Sequence, residues 1–254
     1  MNENFKKALF DYLLWMGDTT LVLGHRISEW CGHGPILEED IALTNIALDL
    51  LGQARMYLTY AGEVEGKGRT EDDLAYLRDV MDYKNSLLVE QPNGDFAFTI
   101  VRQFLFTAFS YHLQDALLSS SDERIRSIAE KAIKEVTYHL RHSSDWVTRL
   151  GDGTEESHQK VQDALNEAWM FTDDLFAMLP GDKLLMDEKI IPDFKIIRRK
   201  WNDTIKGVIE GAALKLPTET YMMNGGREAK HTEHLGYILA DMQFLQRAYP
   251  GAKW

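Results

Sequence analysis

Apolar residues return every three or four positions along runs too long for strands, and this periodicity constrains the fold of the chain more than any other feature. From Phe5 they fall at Leu9, Tyr12, Leu13, Met16, Leu23, Ile27 and Trp30, and Cys31-Gly32-His33-Gly34-Pro35 stops the run. A second run opens near Leu37, with Glu38, Glu39 and Asp40 suited to the positive end of a helix, and continues to Ala61-Gly62. After the turn-rich Glu90-Gln91-Pro92-Asn93-Gly94-Asp95, the aromatic stretch from Phe96 to Leu118 exceeds strand length and is expected to be a buried helix. Ser121-Asp122-Glu123 caps the next helix, which Leu150-Gly151-Asp152-Gly153 ends. Long helices are thus predicted near 5–30, 37–61, 95–119 and 122–150. Others are predicted near 70–84, 154–179, 194–214 and 231–248, with an irregular connection over 181–192 and a Gly-containing loop over 218–230. No strand pairs or short repeats are evident. The economical architecture is all-α, one domain over residues 1–254, with a four-helix core and flanking helices packed around it.

Composition narrows the function. The formal net charge of −12 argues against nucleic acid, whose phosphates demand clustered Lys and Arg, although a local basic patch or a basic partner could still serve an anionic ligand. No stretch approaches the roughly 18 uninterrupted apolar residues of a membrane helix. The single cysteine, Cys31, cannot close an internal disulfide, and the N-terminus lacks the apolar core of a secretion signal. A cytoplasmic protein that binds neither membrane nor nucleic acid is expected.

Four-helix bundles of the ferritin-like di-iron class take a Glu from each of two helices and Glu-x-x-His from each of the other two. Here Asp18 lies on the apolar face of the first helix and Asp49 in an apolar run of the second, at a spacing that suits facing positions across a hairpin. The residue three after Asp49 is Gly52, followed by Gln53, so an imidazole is missing outright. Glu135 on the fourth helix is followed by Tyr138 where His is needed, with His139 next, still on the same face. The third helix offers Gln103, His112 and Asp115 but no Glu. The pattern fails as a complete metal site, so no metal is expected in this chain. A buried carboxylate without metal must find donors, and Gln53, Arg55, Lys134 and His139 are the candidates for Asp18, Asp49 and Glu135.

Other motifs carry less. His231-Thr232-Glu233-His234 lacks zincin spacing and suits capping or partner contact. His139 and His142 share a face, where structural histidines are the commoner outcome. Gly66-Lys67-Gly68-Arg69 and Gly225-Gly226-Arg227 resemble phosphate loops in composition alone, with no strand before either. Cys31 beside His33 lacks an accompanying acid–base constellation. The aromatic stripe from Phe96 to Tyr111 is most simply core, with a helix-in-groove interface as second reading.

Several stretches taken together resemble one family: Glu29-Trp30-Cys31-Gly32-His33, the run from Asn45 through Asp49-Leu50-Leu51-Gly52-Gln53-Ala54-Arg55, Leu88 to Phe96, Lys131 to Glu135 with Tyr138 to Arg141, and His231 to Gly236. That family is the C subunits of the bacterial phenylacetyl-coenzyme A epoxygenases. The resemblance implies a ferritin-like fold and a heteromeric oxygenase whose A subunit holds the di-iron centre while this subunit pairs with it. A separate reductase subunit delivers electrons, and the complex converts phenylacetyl-coenzyme A to its ring 1,2-epoxide in aerobic phenylacetate breakdown. By position, Asp18, Asp49, Gly52, Glu135 and Tyr138 stand where the catalytic paralogue has iron ligands. The resemblance therefore implies a structural, non-catalytic component with no cofactor of its own. Two alternatives stay open: a catalytic di-metal oxygenase using Asp18, Asp49, Glu135, His139 and His112, and a helical binding module unrelated to oxygenation. A paired subunit implies an interface of the obligate class, above roughly 2,000 Å², and a free preparation could self-associate.

Overall fold

A computed structural model describes residues 2–218 and 220–252. Among them are ten α-helices and no strand: α1 (Glu3–Ser28), α2 (Leu37–Glu65), α3 (Glu71–Tyr76), α4 (Leu87–Glu90), α5 (Phe96–Leu117), α6 (Glu123–Gly151), α7 (Glu155–Trp169), α8 (Asp182–Asp187), α9 (Phe194–Gly211) and α10 (Glu233–Ala248). The four longest are those expected from the periodicity. None is long and apolar enough to cross a membrane. The chain gathers into two compact units, the first from residues 1–92, 179–185 and 225–254, the second from 93–178 and 186–224.

In the first unit α1 and α2 form a tight hairpin. Asn2 opens α1 by accepting from the Asn4 N–H at 2.8 Å, and Gly32, with φ +79°, helps turn the chain beyond its end. Close approach depends on small residues: a Cβ at Gly17 would sit 2.6 Å from Leu58, and one at Gly24 3.1 Å from Leu51 and 3.4 Å from the Ala47 carbonyl. The expected end of α2 at Gly62 is corrected to Glu65. Gly62 is a packing glycine, because the Arg69 carbonyl lies where its Cβ would be, whereas Gly66 adopts the left-handed conformation, φ 68°, that closes the helix.

The helix expected over 70–84 is also corrected. Thr70 and Asp73 form a capping box, but α3 stops at Tyr76 and a 3-10 turn covers Val80–Asp82. Side chains take over the carbonyls that a continuing helix would have used. Arg78 donates to Leu74, the Tyr83 hydroxyl to Ala75, Gln243 to Ala75 and Arg78, and Arg247 to Tyr76 and Arg78.

The second unit is built on the α5–α6 hairpin. Asp95 and Asp122 cap the two helices through the Phe98 and Ile125 N–H groups. The aromatic stripe is core: Phe98, Phe104, Phe106 and Phe109 are buried, Phe96 meets Trp146 edge-on at 5.1 Å, and the Trp201 indole donates to the Leu105 carbonyl at 2.9 Å. The expected helix 154–179 ends at Trp169 because the chain folds back to lay Phe176 against Phe109 and Trp201, with ring centroids 5.3 and 5.4 Å apart. The stretch expected to be irregular over 181–192 contains α8.

Tyr12 is fully buried and its hydroxyl has no hydrogen-bond partner among the described residues. Burial, and then Tyr57, push its pKa well above the usual phenol value. Removing an unmade hydrogen bond removes a desolvation cost. Tyr12→Phe is therefore expected to leave stability unchanged or raise it by up to about 1 kcal/mol, measured by urea unfolding. A loss beyond about 1.5 kcal/mol would show that the hydroxyl is bonded.

Candidate functional site

Asp18 sits at the middle of α1, fully buried. The α1–α2 register, set by Gly17 against Leu58 and Gly24 against Leu51 and Ala47, places it beside the Gln53–Tyr57 stretch. Asp49 lies at least one helical turn further along and is half-buried, so the expectation that the two carboxylates face each other is corrected. What reaches Asp18 comes from outside the hairpin. Arg78, itself 4% exposed, clasps both carboxylate oxygens, Nη1 to Oδ2 at 3.0 Å and Nη2 to Oδ1. The Lys84 N–H donates to Oδ2 at 2.9 Å.

Such a bidentate pair balances the buried charge and fills most of the carboxylate's acceptor capacity. Burial works against the charge on Arg78, but Asp18 together with Tyr83 and Asp82 outweighs it and holds the guanidinium above its ordinary pKa. Tyr83 closes the site, its ring 4.4 Å under the guanidinium carbon, and burial followed by the charge of Asp18 drives its phenol pKa upward. Arg55, named from the sequence as a candidate donor, is spent on Glu71 at 3.3 Å.

The remaining positions do not supply ligands around Asp18. Gly52 contributes no donor atom, although a Cβ there would meet nothing within 4 Å; the lack of a ligand is a matter of residue type, not of room. In the second unit Glu135 is half-buried, Tyr138 is exposed and His139 is fully buried, its carbonyl accepting from the Ser143 hydroxyl at 2.8 Å. Gln103 is also fully buried. His112 bonds Thr204 at 2.8 Å, and Asp115 meets Lys200 at 3.3 Å. Among the described residues no three His, Cys, Asp or Glu side chains form a group that could hold a metal ion. These residues do not fit a di-iron centre, since a guanidinium already stands where a cation would have to approach Asp18.

Two further buried ion networks in the first unit escape a reading of the sequence. Glu90, fully buried at the end of α4, accepts from Asn85 at 2.9 Å, from His231 Nδ1 at 3.0 Å and from the Thr232 N–H at 2.6 Å. His231 Nε2 lies 3.1 Å from the Tyr83 carbonyl oxygen, and Arg26 donates to the Glu90 carbonyl. His231 thus links α10 to Glu90 and Tyr83, and does not cap the helix, whose N-cap is Thr232. Asp182 takes both arms of Arg227 at 2.6 and 2.9 Å, and that guanidinium stacks on Trp15 at 4.4 Å. Gly225-Gly226-Arg227 is therefore no phosphate loop. Nor is Gly66 to Arg69, because Lys67 and Arg69 both pair with Glu65 and hold its carboxyl below the usual range. Cys31 is exposed, and His33 Nδ1 contacts its carbonyl oxygen.

The charges in these networks hold backbone or another charge in place. The C subunit of the 1,2-phenylacetyl-CoA epoxidase of Escherichia coli (strain K12) is 49% identical over 243 residues, covering 96% of this chain and 98% of that one. A family model described as phenylacetic acid catabolic protein matches residues 1–254. The chain thus belongs to the phenylacetic acid catabolic protein family and has its ferritin-like, all-α fold.

Proposed function

We propose that this chain is the structural, non-catalytic partner subunit of a multicomponent di-iron monooxygenase that epoxidises the ring of phenylacetyl-coenzyme A in aerobic phenylacetate catabolism. In this reading the catalytic A subunit binds the iron, a reductase subunit supplies electrons, and the complex works in the cytoplasm. The observation that carries it is the Asp18–Arg78 clasp: the acid at the expected ligand position is charge-balanced by a guanidinium and a backbone N–H. The near full-length likeness to an epoxidase subunit supports the assignment to that complex.

The test is iron per chain for protein purified alone from iron-rich medium, alongside co-purification of the other epoxidase subunits. Near-zero iron with a stable oxygenase partner is expected. About two irons per chain would mean that Arg78 has released Asp18 to act as a ligand, which would overturn the reading.

A further inference from the structure

The C-terminal half of α10 does not lie flush on α3 and the 3-10 turn after it. Two clefts open between them, of about 520 and 480 Å³. Arg247 divides them, bridging to the carbonyls of Tyr76 and Arg78 and to the Asp79 carboxylate at 2.8 Å. The first cleft has Tyr76, Leu77 and Tyr249 in its walls together with Asp72. Asp72 is exposed and makes no ion pair among the described residues, and after burial it is what raises the Tyr76 phenol. The second cleft runs between Val80 and Phe244 over Gly236 and Ala240, and a Cβ at Gly236 would meet nothing within 4 Å.

Large apolar side chains in the cleft walls are exposed: Leu77 and Tyr249 in the first, and Phe244, 64% exposed, in the second. The charges among them are one-sided. Asp79 and Arg247 are matched to each other, which leaves the exposed Asp72 as the unmatched charge. Aromatic walls beside an uncommitted carboxylate suit a cation carried on an apolar stem, as in Lys or Arg, and the neighbouring cleft suits an apolar side chain.

The geometry points to the α3–α10 edge as a docking surface for a basic, amphipathic segment of a partner protein, which places a Lys or Arg against Asp72, Tyr76 and Tyr249 and an apolar residue against Val80 and Phe244. This rests on the reading of the chain as a subunit. The experiment is co-purification of the other epoxidase subunits with wild-type chain and with the double variant Asp72→Lys, Phe244→Glu, at low and high salt. Urea unfolding establishes that the variant is folded. Association at least tenfold weaker in the variant, with the salt sensitivity of the wild type lost, is expected. Equal capture by both chains would overturn the surface while leaving the subunit reading intact. A wild type that captures no other epoxidase component would overturn the subunit reading and this surface with it. A wild-type homodimer abolished in the variant would make the occupant a second copy and overturn the heterologous partner.

Discussion

Arg78→Met is expected to destabilise the protein by about 3–5 kcal/mol, because it leaves the Asp18 carboxylate buried with its charge uncompensated. The same substitution frees the Leu74 and Asp82 carbonyls, which Arg78 also satisfies, and removes the cation above Tyr83. A loss of that size is a third or more of the stability of an ordinary domain, so the variant is expected to unfold at a much lower urea concentration. The control is Asp18→Leu together with Arg78→Met. Replacing both partners of a buried pair by apolar residues removes the uncompensated charge, so the double variant is expected to be more stable than Arg78→Met alone despite its extra substitution. The Lys84 N–H then lacks its acceptor, and the Leu74 and Asp82 carbonyls lack the Arg78 donor as they do in the single variant. If Arg78→Met costs less than about 1 kcal/mol, the clasp behaves like a solvated surface pair and Asp18 regains standing as a potential ligand.

That the helices are legible in the sequence, and their ends less so, has a physical basis. Periodicity reports which face of a segment is buried, and for α1, α2, α5 and α6 the buried face is continuous over many turns. Termination reports something else. Tyr76 ends α3 because Gln243 and Arg247, far along the chain, bond the carbonyls it would have used. Gly62 has the composition of a helix stop but serves as a contact point for the Arg69 carbonyl. Trp169 ends α7 because Phe176 packs on two aromatic rings from other helices. The ends of α3 and α7 are tertiary events, and no window of local sequence contains both of their participants.

The site divides in the same way. Asp18 stands out because an acid in an apolar stripe needs an explanation, and its partner does not because Arg78 is 60 residues away in a segment that looks like an ordinary exposed helix. One signal is present: Arg78 follows Leu74 by four residues, which puts it on that helix's buried face. Glu90 gives a comparable signal as an acid closing the apolar run Leu87-Leu88-Val89. Its neighbours Gln91 to Asp95 make it look like part of a turn, and nothing near His231 in the sequence points back to it.

Glu90→Ala is expected to cost about 3–5 kcal/mol and to loosen α10 before the rest of the first unit. The carboxylate collects the Asn85 amide, the His231 ring and the Thr232 N–H that opens α10, so its removal takes this acceptor from all three and leaves Asn85 only its bond to the Ser86 carbonyl. Glu90→Gln keeps the shape and is expected to recover part of the loss: its amide nitrogen can donate to His231 Nδ1 when the ring proton sits on Nε2, but the Asn85 amide then loses this acceptor. Arg26 bonds the Glu90 backbone carbonyl, not its side chain, so the α1–α4 contact should survive both substitutions. Urea unfolding gives the total effect, and hydrogen exchange locates it: in the variants, amides from Glu233 onward should exchange faster than those of α1 and α2. Uniform acceleration across both helix groups would mean that Glu90 supports the whole unit and not the α10 anchor. Unchanged exchange with a loss under about 1 kcal/mol would mean that His231 and Thr232 hold α10 without it. Because the α3–α10 edge depends on where α10 is anchored, the expected loosening should also weaken capture of the other epoxidase subunits by the folded variant.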